Sequence, residues 1–190
     1  MALRDLLENN RQWAEAATRK RPDFFEKLCG QQSPAYLWVG CSDSRVPANA
    51  IVGLDPGELF VHRNVGNIVA PGDLNGLSAI QFAVDVLNVG HIIVCGHYGC
   101  GAVHAAASNV RLGLADGWIR HIKDVREKHC IDLAAIDDET ARTDRLCELN
   151  VMAQVRNVCE STVVRGAWQR GRQFSVHGWI YCLSDGLLRD

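Results

Sequence analysis

His91-Ile92-Ile93-Val94-Cys95-Gly96-His97-Tyr98-Gly99-Cys100-Gly101 sets the reading of this chain. Its opening is a short apolar run, the pattern of a strand buried on both faces of a parallel sheet. Ala102-Val103-His104-Ala105-Ala106-Ala107 follows as the start of a helix. The segment between them is a strand-to-helix turn at the carboxyl end of a strand, where open α/β sheets place their chemistry. Between its glycines stand His97 and Cys100, an imidazole and a potential thiolate that can meet at one metal ion.

A second apolar run, Tyr36-Leu37-Trp38-Val39-Gly40, leads straight into Cys41-Ser42-Asp43-Ser44-Arg45. If the two runs are neighbouring parallel strands, both turns reach the same edge of the sheet. Cys41, His97 and Cys100 then form a nitrogen–sulfur set suited to Zn²⁺, with a fourth place for water. Two thiolates cancel the ion's formal charge, so its water should ionise at higher pH than on a zinc held by three imidazoles. If residues 41–45 are extended, Asp43 and Arg45 point to the same side and can form a two-pronged ion pair. Asp43 could then orient a zinc-bound hydroxide. Released from Arg45, it could swing in as fourth ligand and switch the site off.

Plainer readings stand beside these. His97 alone reads as a satisfied structural histidine, Cys41 alone as a buried thiol, and Asp43 with Arg45 as a surface ion pair of little value. The metal could be structural, with four fixed protein ligands. A phosphate cradle is disfavoured, because the glycine-rich turn holds no Lys and no G-x-x-x-x-G-K-[ST] pattern.

At 190 residues, with 47% hydrophobic and 22% charged residues, the chain suits one globular domain. A formal charge of -2 argues against a nucleic-acid or anionic-membrane surface. No apolar run approaches the ~20 residues that span a bilayer, and the N-terminus lacks the apolar core of a signal peptide. Cys29, Cys95, Cys130, Cys147, Cys159 and Cys182 read as small reduced hydrophobes, which points to a reducing cytoplasm.

Residues 3–17 carry an amphipathic pattern, and a second short helix is expected over 23–29. Together, residues 1–30 read as an N-terminal helical arm before an α/β core over 31–190. Further strands are expected at 58–63 and 174–183, a short helix or irregular segment at 47–54, a loop lining the site at 64–75, and helices at 77–87, 118–128 and 144–164. The last rests on Leu146, Leu149, Val151, Met152, Val155 and Val158. Strands alternating with helices predict an α/β fold with a mainly parallel central sheet flanked by helices.

C-S-D-S-R-V at 41–46, G-E-L-F-V-H-R-N-V at 57–65 and H-Y-G-C-G at 97–101 together resemble the β-class carbonic anhydrases, and E-L-N-V at 148–151 and H-G-W-I-Y at 177–181 extend the match. The resemblance implies Zn²⁺ on Cys41, His97 and Cys100, an Asp43–Arg45 dyad, and reversible hydration of carbon dioxide to bicarbonate and a proton. It implies a homodimer or a dimer of dimers. It further implies that Phe60, Val65 and the backbone at Gly101 line the substrate pocket, with Gln32 hydrogen-bonding the substrate. Phe82 stands where related bacterial members often carry Tyr. Trp38, Arg63 and Tyr181 match a bicarbonate-regulated subgroup, which implies inhibition through a second anion site and activity rising steeply with pH; their plainer reading is two core aromatics and a structural arginine. A carbon disulfide or carbonyl sulfide hydrolase on the same fold, and a non-catalytic zinc or bicarbonate sensor, are the alternatives.

Overall fold

The computed structural model describes residues 3–30 and 32–190. They fall into two units, Met1–Ser33 and Pro34–Asp190. In the first, α1 (Leu3–Lys20) is an exposed helix that buries none of its residues. Its polar face is laced by Arg11, which pairs with Glu8 and Glu15 one turn to either side. Leu3, Leu6 and Leu7 stay exposed, so the apolar stripe is solvated within this unit. Trp13 meets the edges of Phe24 and Phe25, which open α2 (Phe24–Cys29), with centroids 6.2 and 5.7 Å away.

The second unit is the α/β fold read from the sequence. Strands β1 (Tyr36–Cys41), β2 (Leu59–Asn64), β3 (His91–His97), β4 (Ser175–Tyr181) and β5 (Leu188–Arg189) form one sheet in the order β2-β1-β3-β4-β5. All pairings are parallel except the antiparallel β4–β5 pair. Central β1 and β3 are buried on both faces, which is why they read as unbroken apolar runs, whereas edge strand β2 alternates.

The two faces are unequally covered. Leu37, Val39, Ile92 and Val94 look into the main core, built with α4 (Leu74–Gln81), α5 (Gly101–Ser108), α6 (Ala115–Lys128), α7 (Cys130–Ala134), α8 (Glu139–Glu160) and α9 (Thr162–Gln169). Trp38, Ile93 and Cys95 look the other way, into a smaller cluster with α3 (Ala48–Val52) and the C-terminal residues Leu183 and Leu188. Gly40 makes room for Trp38 on that face: a Cβ there would lie 2.2 Å from the indole nitrogen.

Four features depart from the sequence reading. The helix expected at 77–87 changes to a π-turn at Phe82–Val86, closed by the Leu87 N–H on the Phe82 carbonyl at 3.0 Å. Arg170 pairs with Asp85 of that turn at 2.7 Å, and Arg172 bonds the Val84 carbonyl. The helix expected at 144–164 is two helices, because Ser161 turns extended and caps α9 through Val164 N–H at 3.2 Å. On α8, Met152 faces solvent while Asn150 and Gln154 are buried in its place. All eight cysteines are free; Cys95 and Cys147 are buried as expected, but Cys29 and Cys130 are exposed. No helix among the described residues is long and apolar enough to cross a membrane.

Candidate metal centre and its surroundings

Cys41 ends β1 and His97 ends the adjacent β3, so the sheet delivers both to one edge. After His97 the chain turns through Gly99, at φ +65°, into Cys100, which precedes the first turn of α5. The Sγ atoms of Cys41 and Cys100 lie 3.9 Å apart, and one ligand atom from each of Cys41, His97 and Cys100 lies within 4.8 Å of the others. That is too far for a disulfide. Two sulfurs bound tetrahedrally to one zinc at ~2.3 Å stand about 3.8 Å apart, so the spacing fits a shared ion. His97 donates Nδ1–H to the Tyr98 carbonyl at 2.9 Å, which leaves Nε2 with its lone pair. Nε2 is buried without a hydrogen-bond partner, on a residue only 1% exposed. A buried imidazole nitrogen with no hydrogen-bond partner, set between two cysteine sulfurs, is a ligand position. The donor set fits Zn²⁺.

Without an ion, the two thiols share a proton. The hydrogen bond from Cys100, helped by His97 and the Gly66 amide, holds Cys41 down to about 4 against its burial. The same contact and burial push Cys100 far up. Burial opposes charge on His97, but the Cys41 sulfur, the Tyr98 carbonyl and Asp43 outweigh it and raise its pKa.

The Asp43–Arg45 pair forms, though not by the route expected. Residues 43–46 are not extended but make a turn, closed by Val46 N–H on the Asp43 carbonyl at 3.1 Å. Asp43 Oδ1 accepts from the Arg45 backbone N–H at 3.0 Å and from Nε at 2.9 Å, and Oδ2 accepts from a terminal guanidinium N–H at 2.7 Å. Arg45 also reaches the Gly99 carbonyl at 3.3 Å, tying the two turns together. This clamp drives the Asp43 pKa well below the carboxylate range. Asp43 Oδ2 lies 3.7 Å from His97 Nε2, on the rim of the ligand cluster.

The remaining candidate residues are placed as follows. Phe60 is half-buried and stacks at a tilt on Phe82, centroids 5.8 Å apart. Val65 is exposed, and its carbonyl accepts the Trp118 indole N–H at 2.7 Å. Gly101 is the exposed first residue of α5. Gln32 belongs to the N-terminal unit, where it is exposed. By strand register, Trp38, Arg63 and Tyr181 share the sheet face opposite the main core. Trp38 is fully buried; Arg63 donates to the carbonyls of Cys41 at 2.8 Å and Asp43 at 2.5 Å. His62 is half-buried, with its pKa lowered by burial, whereas His104 is exposed.

Helix α8 holds the second metal-bearing turn, a role the sequence reading did not assign. Burial raises the pKa of Asp144 and of Cys147, and the backbone at Gly99 and Cys100 offsets part of that rise. Glu148 accepts the Tyr98 hydroxyl at 2.7 Å and is braced by Arg145 at 2.6 Å. Polar residues at 144, 147 and 148, one turn before the buried Asn150, were the available signal: an apolar stripe does not need them.

The sequence matches the family model for carbonic anhydrase over residues 36–188. It is 49% identical to a carbonic anhydrase of Emericella nidulans over 97% of this chain and 81% of that protein. It is 39% identical to a carbonic anhydrase of Pseudomonas aeruginosa, over 97% of this chain and 85% of that protein. The fold superposes on a Coccomyxa β-carbonic anhydrase solved with acetazolamide at a TM-score of 0.94, with 43% identity, covering 100% of this chain and 86% of the other. A tetrameric β-carbonic anhydrase of Sordaria macrospora gives a TM-score of 0.92 with 41% identity, covering 98% and 94% of the two chains.

Proposed function

The chain belongs to the β-class carbonic anhydrases, and from that premise we propose that it hydrates carbon dioxide reversibly at a Zn²⁺ held by Cys41, His97 and Cys100. The observation that carries the reading is the unpartnered His97 Nε2 among two cysteine sulfurs, beside an arginine-clamped carboxylate. Zn²⁺ bound there would supply Lewis acidity and lower the pKa of a coordinated water.

The protein's own groups divide the remaining work. Asp43 stays ionised at neutral pH and is a poor proton acceptor because of Arg45. It therefore acts as a fixed hydrogen-bond acceptor that orients the nucleophile rather than as general base. Phe60 and Val65 would supply an apolar wall for the substrate, closed by the Gly101 backbone. The test is carbon dioxide hydration by zinc-loaded protein, near neutral pH and one to two units above it, alongside Cys41→Ser and Asp43→Ala. Stoichiometric zinc with no hydration at either pH would leave the sensor reading. Faster turnover of carbon disulfide or carbonyl sulfide would favour the hydrolase reading.

Bicarbonate regulation extends this proposal. Arg63 holds the Cys41 and Asp43 carbonyls, so an anion drawing its guanidinium toward Trp38 and Tyr181 would loosen the turn that keeps Asp43 on Arg45. Asp43 Oδ2 would then be free to move the short distance to the metal as fourth ligand and close the site. Cooperative inhibition by bicarbonate, relieved in Tyr181→Phe, is the expected result; simple product competition in both proteins would remove the second site. A cytoplasmic setting, supported by eight free cysteines, and a homodimer or homotetramer complete the proposal, the latter to be read by light scattering.

A further inference from the structure

A cavity of about 360 Å³ opens where α5 and α6 end, α7 runs and α8 begins, and no residue of the metal centre lines it. That size, over an apolar floor that includes Leu133 and Leu146, is typical of a small-molecule site. Two guanidiniums also line it, and neither has a carboxylate partner among the described residues. Elsewhere in this unit Arg120, Arg145, Arg170 and Arg189 each hold a carboxylate at 2.6–2.7 Å. Arg126 is half-buried and spends Nη1 on the end of α5: on the Ala106 carbonyl at 2.7 Å, the Ala107 carbonyl at 2.8 Å and Asn109 Oδ1 at 3.1 Å. Capping a helix accounts for that one nitrogen. A guanidinium carries five N–H groups, however, and those on Nε and Nη2 of Arg126 find no acceptor among the described residues. Arg142 donates from Nε to the Ile136 carbonyl at 2.9 Å and from Nη2 to the Asp137 carbonyl at 3.0 Å, which leaves Nη1 open. Of the two carboxylates at the cavity, Glu127 already accepts from Arg120 at 3.1 Å, and Glu139 is exposed and pairs with neither arginine.

We propose that this cavity binds a small organic acid, its carboxylate on the open N–H groups of Arg126 and Arg142 and its short apolar chain on Leu133 and Leu146. The Nε and Nη2 edge of a guanidinium matches the two oxygens of a carboxylate. A half-buried cation gains more from such a partner than a solvated one, because less water and salt screen the pair. An inorganic anion would leave the apolar floor wet, and an uncharged chain would leave the guanidinium edge unfilled. The two surfaces together select an acid with a tail. Because the lining shares no residue with the metal centre, binding here is read directly rather than through turnover, and it stands or falls independently of the zinc reading.

Cys130 lines the same cavity and is exposed, so it serves as a local reporter. In zinc-loaded protein, alkylation of each cysteine by iodoacetamide is followed by peptide mass spectrometry, with the exposed Cys29 of the N-terminal unit as internal control. Hexanoate should slow Cys130 severalfold, leave Cys29 unchanged, and raise the melting temperature as a ligand of the folded state does. Hexanamide keeps the chain without the charge, and acetate keeps the charge without the chain. Each should need at least about tenfold more to give the same protection, since every methylene removed from water is worth about fourfold. Arg142→Gln should weaken the hexanoate effect, and Ala134→Phe, which fills the cavity from an exposed position, should abolish it. Arg126→Gln should abolish it too; where loss of the α5 cap prevents folding, the other two variants decide. No protection by hexanoate, or equal protection by hexanamide or acetate, overturns the proposal. So does a hexanoate effect that survives unchanged in Ala134→Phe or in Arg142→Gln.

Discussion

Arg45 holds both carboxylate oxygens of Asp43 and, through the same guanidinium, the carbonyl of Gly99 on the other metal-bearing turn. One side chain thus fixes the direction of the acidic group and the separation of the loops. Asp43→Asn keeps the shape but loses the charge that anchors Arg45. It should lower turnover about a hundredfold with zinc content unchanged, as read by stopped-flow hydration and metal analysis.

Arg45→Ala separates ionisation from orientation. The native clamp depresses the Asp43 pKa, so the stability it contributes is present above the unfolded value of ~3.9 and disappears as pH falls through the lower folded value. Removing Arg45 returns Asp43 toward the ordinary range, and the acid limb of the activity profile should move up. At neutral pH Asp43 remains charged in both proteins, so a loss of about a hundredfold there would report misorientation alone. An unchanged acid limb and unchanged turnover would show that the clamp is incidental.

The metal-free protein should have a stability maximum in pH. Between the lowered pKa of Cys41 in the fold and the thiol range of the unfolded chain, the unfolded state binds one more proton of this pair than the native state. Stability therefore rises with pH across that window. Above it the unfolded chain has lost both protons while Cys100 keeps its own, so stability falls. Denaturant midpoints of chelator-treated protein over this range should trace a dome, and Cys41→Ser should flatten its rising side.

The turns were legible because their chemistry is local in sequence: a strand end, a glycine-rich bend, and ligands three residues apart. The two central strands were legible for a related reason, since burial on both faces leaves no alternation to blur them. What escaped the sequence lies across long separations or in backbone detail. Nothing near Trp118 says that its indole reaches the carbonyl of Val65. The apolar stripe of α8 admitted Met152 because hydrophobicity alone cannot tell an exposed methionine from a buried asparagine whose backbone partner, Gly66, is 84 residues away. The Asp43–Arg45 pair was foreseen with the wrong backbone, because an extended segment and a tight turn both bring these side chains together.

Ser161 ends α8 and begins α9. Its hydroxyl donates to the Val158 carbonyl at 2.7 Å and accepts from the Val164 N–H. Ser161→Ala should cost about 1 kcal/mol, as lost N-caps do, which is about 2–4 °C in melting temperature for a chain of this size. Zinc content and turnover should be unchanged. A thermal shift with any loss of metal would mean that α8 transmits its C-terminal end to the site more strongly than its hydrogen bonds indicate.

Gly96 offers the sharpest test of how packing positions the metal. It precedes His97 on β3, and a Cβ there would lie 2.6 Å from Val151 Cγ2 and 3.2 Å from Ile180 Cδ1. Helix α8 can therefore approach the strand only because the residue has no side chain. Gly96→Ala must push α8 outward or shift His97, at about 1–3 kcal/mol of overpacking. Since α8 also holds the Tyr98 hydroxyl of the metal-bearing turn through Glu148, zinc affinity should fall together with stability. Val151→Ala removes the clashing methyl groups. Alone it should destabilise by opening a cavity, but combined with Gly96→Ala it should recover part of both losses, because the new methyl occupies the vacated space. A double-mutant cycle on melting and on zinc affinity reads that coupling. Additive losses in both would mean that the helix and strand adjust independently, and that the close approach at Gly96 does not help to place His97.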